Sequence, residues 1–121
     1  MTMTKKFIPI VKKKETCKVF LESILTLEQD LRKTIIHTEE GTYLLYAKID
    51  DFTKYLDENF LRCHHSCVIN LDKVVKMKDQ TAYFENGYHT SFGRDTFRYV
   101  KQHFAGHMLR SANKSLQQRE M

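Results

Sequence analysis

No apolar run in this chain approaches the roughly 18–20 residues that span a bilayer, so no membrane insertion is expected. The amino terminus, Met1-Thr2-Met3-Thr4-Lys5-Lys6, has no apolar stretch behind it and does not read as a secretory signal. Cysteine is scarce and odd in number: Cys17, Cys63 and Cys67 imply no disulfide framework, and a reducing, cytoplasmic location is the simplest expectation. Proline occurs once, at Pro9, where it confines its segment to a sheet edge or a strand start. Enzyme signatures are missing as well. There is no Gly-rich phosphate loop after a strand, no His-Glu-x-x-His and no Gly-x-Ser-x-Gly. The acidic pairs Glu39-Glu40 and Asp50-Asp51 fall in a turn and at a helix start. Cys63 and His64, as neighbours on a strand, diverge rather than meet as nucleophile and base. No enzyme and no cofactor are expected.

What remains is a chain of 121 residues, 41% apolar and 29% charged, enough for one domain with one core. Twenty Lys and Arg against fifteen Asp and Glu leave a formal charge of +5. That excess is mild, but it is segregated. Lys12-Lys13-Lys14, Arg32-Lys33, Arg62 with two histidines, and Arg94 with Arg98 sit at segment junctions. The acids collect at 39–40, 50–51 and 57–58. Such segregation fits one basic face.

Most of the chain alternates with a strand period. Segments 7–11 and 17–21 are β-prone and flank the triple-lysine turn. Residues 34–38 and 42–46 read as a hairpin around Glu39-Glu40-Gly41. Residues 74–77 lead through Asp79-Gln80 into a second hairpin, 81–85 and 88–92, whose Asn86-Gly87 pair predicts positive φ at both positions. One internal helix is expected over 48–57, with Ile49, Phe52, Tyr55 and Leu56 on one face. A second starts at Asp95 or Thr96, carries Phe97, Val100 and Phe104, and stops at Gly106. The expected organisation is a flexible segment 1–6, a domain over 7–108 and a polar tail over 109–121.

The most informative stretch is Phe60-Leu61-Arg62-Cys63-His64-His65-Ser66-Cys67-Val68-Ile69-Asn70. It reads as a donor-rich loop running into a buried strand, a way of presenting side chains to a polyanion. It resembles the signature of the LytTR family of bacterial DNA-binding domains: a phenylalanine, Arg-x-His-x-Ser, an apolar pair and Asn. Two further segments resemble the family in the same order, Val19-Phe20-Leu21-Glu22-Ser23 and Thr90-Ser91-Phe92-Gly93-Arg94-Asp95. Between the first of these and Phe60 lie the Gly-turn hairpin and the short apolar-striped helix.

The resemblance implies a mostly β fold of concatenated small antiparallel sheets, with a short internal helix and a C-terminal helix. It implies loops, not a recognition helix, entering successive major grooves of bent duplex DNA. By position, the first loop falls at Arg32 and Lys33, the second at His64, His65 and Ser66, and the third at Arg94 and Asp95. Arginine can bond guanine O6 and N7 together, while Ser or His can reach a phosphate or a base edge. Lys33 and Arg98 are expected to anchor phosphates. His65 departs from the Arg or Asn of many relatives. Because imidazole is cationic only below a pKa of about 6.5, a weaker and more pH-sensitive contact is expected there. A free-standing domain without a receiver would be controlled by expression, by a regulatory protein partner or by self-association, such as a homodimer on repeated sites. The alternative is a protein-interaction module on the same scaffold.

Cys63, His64, His65 and Cys67 also cluster in sequence, and His103 and His107 have i, i+4 spacing. A zinc site is not expected, because Cys67 runs into a strand beside Val68 and Ile69, where a free thiol packs as a small hydrophobe. Cys63, read as exposed beside cationic histidine, is a candidate redox thiol.

Overall fold

A computed structural model describes residues 5–119, with side chains to 114. Residues 1–4 of the expected flexible terminus and 120–121 of the expected tail lie outside the described residues. The fold is mostly β, in three small antiparallel sheets with one C-terminal helix. β1 (Phe7–Val11) pairs with β2 (Thr16–Phe20) around the triple-lysine turn. β3 (Ile24–Asp30), β4 (Lys33–Thr38), β5 (Thr42–Leu45), β6 (Phe60–His64) and β7 (Cys67–Asn70) form a five-stranded sheet in the order β5-β4-β3-β7-β6. β8 (Val74–Lys78), β9 (Thr81–Phe84) and β10 (His89–Ser91) form the third sheet, and α1 spans Arg94–Arg119.

The five-stranded sheet is the middle layer. Leu27, Ile36 and Val68 point to one face, where they pack with Ile8, Ile10 and Val19 of the β1–β2 ribbon. Ile69 and Cys67 point to the other, against Ala82 and Phe84 of the third sheet and Val100 and Phe104 of α1. This explains why 24–30 does not read as a strand from sequence. A strand covered on both faces has no alternation, only the continuous run Ile24-Leu25-Thr26-Leu27, all buried.

Four local expectations are corrected. The segment 48–57 forms two 3-10 turns, Ile49–Asp51 and Thr53–Tyr55, closed by i→i+3 bonds such as Phe52 N–H to the Ile49 carbonyl at 3.0 Å. The apolar stripe does reach the core, but a segment this short gains little from helix propagation. Residues 60–64 are strand, so the donor-rich stretch is a hairpin tip at His65-Ser66 rather than a loop preceding one strand. Asn86-Gly87 belongs to a three-residue loop, with Phe84 N–H bonded to the Tyr88 carbonyl and only Gly87 at positive φ, +95°. The two-residue turn with both positions at positive φ is Asp79-Gln80, at 52° and 60°. Last, α1 does not stop at Gly106 but runs through the segment expected to fray. Glycine costs a helix only about 1 kcal/mol, and the flanking residues are good helix formers. Lys5 and Lys6, in the segment expected to be flexible, are 3.0 Å from Glu22 and 3.7 Å from Asp57.

Asn70 closes the middle layer. Its side chain is buried and donates to the carbonyls of Ile24 (2.9 Å) and Leu21 (3.4 Å), while its oxygen accepts the Asp72 N–H. Asn70→Ala would leave buried carbonyls unpaired, at a cost of about 2–3 kcal/mol. Urea denaturation would measure it, and a loss well below 1 kcal/mol would contradict this role.

Candidate nucleic-acid interface

Register decides where the polar tips go. β3 runs toward the two-residue turn Leu31-Arg32, which joins Asp30 to Lys33. β7 pairs with β3 antiparallel, Thr26 with Ile69 and Glu28 with Cys67, so the His65-Ser66 tip lies at the same end of the sheet. Gln29 N–H donates to the Ser66 carbonyl at 2.9 Å, lacing the two tips together. The exit of β10 arrives at the same place. Thr90, Ser91 and Phe92 share a cleft with Glu28, Gln29, His64, Ser66 and Cys67. Two residues on, Arg94 opens α1, one turn below Arg98 on the helix.

Arg32, His64, His65, Arg94, Asp95 and Arg98 are exposed, while Lys33 and Ser66 are half-buried. Arg94 and Asp95 are the first helical residues rather than loop residues, because Gly93 already accepts the Phe97 N–H. Among the described residues, no carboxylate lies within ion-pairing distance of Arg32, Arg94 or Arg98, whereas Arg62 and Lys73 are paired. Lys33 lies over the Tyr46 ring, 5.4 Å from its centroid. His64 Nδ1 accepts the Ser66 N–H at 3.2 Å, so Nε2 is the ring nitrogen not engaged by that bond.

Arg62 is not one of the presented donors. Its guanidinium bonds the His64 carbonyl (2.9 Å) and the His65 carbonyl, and meets Asp50 at 2.7 Å. A planar fork on two successive carbonyls fixes the shape of the tip. Gln29 does the same for the neighbouring tip, donating to the Leu31 carbonyl (3.1 Å) and accepting the Ile49 N–H (2.9 Å). That tip carries a strained residue, since Leu31 sits at φ 59° and 88% exposed. Sequence reasoning missed Gln29 because its role comes from residues 20 positions away. It missed Tyr46, 79% exposed beside Lys33, because an aromatic at a strand end reads as core.

The reading of Cys63 is corrected too, while Cys67 packs in the core as expected. Cys63 is buried in the bulge of β6, not exposed. A hydrogen bond with Cys67 and burial push its thiol well up, so it is no thiolate. Cys63 and Cys67 face the second core, while His64 and His65 project outward. His103 Nδ1 is 3.0 Å from the Tyr99 carbonyl, and His107 is 3.3 Å from Asp72.

Comparison with known proteins bears on this arrangement. Residues 14–105 match the family profile of the LytTr DNA-binding domain, most of the chain, and the chain belongs to that family. The family is one of DNA-binding domains rather than of enzymes. Among solved structures, the chain is similar to the LytTr DNA-binding domain of a Bacillus cereus response regulator, at 20% identity and a TM-score of 0.65. The match covers 82% of this chain and 96% of that one, and shows a shared fold. No curated protein matches the chain in sequence. Among the described residues, no helix is long and apolar enough to cross a membrane.

Arg62→Lys keeps the charge but cannot fork two carbonyls. Amide exchange at 64–66 should quicken and duplex affinity should fall about tenfold. Retention of both would show that the tip holds its shape without the guanidinium.

Proposed function

We propose that this domain reads duplex DNA in a sequence-specific manner and regulates transcription, with its tips in successive grooves. The observation that supports this is that the turn before Lys33 and the His65-Ser66 tip share one end of the five-stranded sheet, with Thr90, Ser91 and Phe92, just ahead of Arg94, lining the cleft beside them. Arg32 and Arg94 are assigned to base edges, and His64, His65 and Ser66 to a base edge or a phosphate. Lys33 and Arg98 anchor phosphates, which supply affinity without sequence information. Asp95, an exposed acceptor next to Arg94 in the chain, is assigned to an exocyclic amine of a base. A single short domain covers few base pairs, so paired or repeated sites occupied by two copies are the fitting target.

Selection of bound duplexes from a random pool, then a salt titration on the winner, tests this directly. The log–log salt slope should be about 0.9 per phosphate neutralised. Arg94→Ala should cost about 1–3 kcal/mol on the selected site and much less on random duplex. An equal loss on both would make Arg94 a phosphate anchor. No preference among duplexes would favour the other reading, a protein-interaction module held by a regulatory partner.

A further inference from the structure

One polar side chain packs against the second core. Tyr88, in the loop entering β10, reaches across from the three-stranded sheet to the five-stranded one. Its hydroxyl is 3.0 Å from Thr26 Oγ1 on β3, and Thr26 is fully buried. Its ring stacks on His37 of β4, with centroids 4.9 Å apart and planes at 29°. His37 Nε2 lies 3.5 Å from Glu28 Oε2, so β3 and β4 present a joined polar seat for this one side chain. Burial pushes the Tyr88 phenol up to about 12, and the hydroxyl stays protonated. The His37 hydrogen bond holds the Glu28 carboxyl below its ordinary value despite partial burial.

The position of this contact matters. On the extended segment through β10, Thr90 and the flanking residues 88 and 92 alternate onto one face. Phe92 is buried in the second core, Thr90 lines the cleft beside His64 and Ser66, and Arg94 opens α1 two residues later. Apolar contacts fix the offset of two packed sheets only through the fit of their side chains, because the hydrophobic effect itself carries no direction. A hydrogen bond and a stacked ring do carry direction. Gly87, at φ +95°, lets the chain turn sharply enough to place Tyr88 at the seat.

The geometry points to Tyr88 as a positioning residue that bolts the β9–β10 hairpin onto the middle sheet. It thereby sets the offset between Arg94 and the tips at Arg32 and His65, and so the spacing of DNA contacts the domain accepts. This inference rests on the DNA reading for its consequence, but its structural part does not. The side chain touches no DNA in this account and acts through Arg94.

Two variants test it, Tyr88→Phe, which keeps the stacking ring, and Thr26→Val/Tyr88→Phe, which removes both hydroxyls together. The double variant leaves no buried hydroxyl unpaired, so its unfolding midpoint should stay near that of the wild type. Residual dipolar couplings on the free proteins should show the three-stranded sheet reoriented or averaged relative to the five-stranded one in both variants. On the duplex selected by the wild type, affinity should fall about tenfold while random-duplex affinity changes less than about twofold. Tolerance to a one-base-pair insertion between contacts should rise. Unchanged couplings would overturn the proposal, as would a binding loss that follows stability and appears equally on random duplex. If the wild type selects no duplex, the DNA reading fails on its own, and the couplings still decide whether Tyr88 fixes the sheets.

Discussion

β3 is hydrogen-bonded on both edges and covered on both faces, and the other elements take their positions from it. Its two antiparallel pairings send one hairpin tip from β4 and another from β7 to the same end of the sheet. The opposite end is closed by the buried Asn70 amide and by the Glu39 N–H bonded to the Ser23 carbonyl at 2.9 Å. A one-residue slip of β7 would exchange Val68 for Cys67 and Ile69 between the two cores. The register is therefore held by burial on both sides, and the placement of the tips follows from it.

Cations in this chain divide into those with partners and those without. Arg62 is consumed by two carbonyls and Asp50, Lys73 by Glu39, and Lys6 by Asp57. Arg32, Arg94 and Arg98 are exposed, with no carboxylate in ion-pairing distance among the described residues. Unpaired surface guanidinium groups lose little on meeting a polyanion, since no intramolecular partner has to be given up. An arginine braced on two carbonyls restricts the conformations of the tip, and such restriction lowers the entropy a loop loses on meeting a ligand. Pairing and exposure thus work together: one arginine shapes the tip so that neighbouring side chains can be presented.

Much of the scaffold was legible in the chain. The hairpin around Gly41, the meander through Asp79-Gln80, the face carrying Ile49, Phe52 and Leu56, and the family itself could all be read from residue pattern. Three things could not. β3 hid because double burial erases alternation. The type of the Asn86-Gly87 loop hid because the pairing of Phe84 with Tyr88 chooses a three-residue connection over a two-residue one. The inward turn of Arg62 and the burial of Cys63 hid because a bulge in β6, invisible in composition, rotates those side chains. The candidate residues at 32–33, 64–66 and 94–98 were nameable by resemblance, but the common end of the sheet shared by the first two segments needed the register.

Segments 31–33, 64–66 and 90–98 are proposed to form one DNA-facing surface. Backbone amide shifts recorded while titrating a selected duplex into the protein test it most directly. Large changes confined to those three segments are expected, with 21–23, 39–41 and 71–73 at the far end unmoved. Changes centred on the far end, or on the Lys12–Lys14 turn alone, would contradict it.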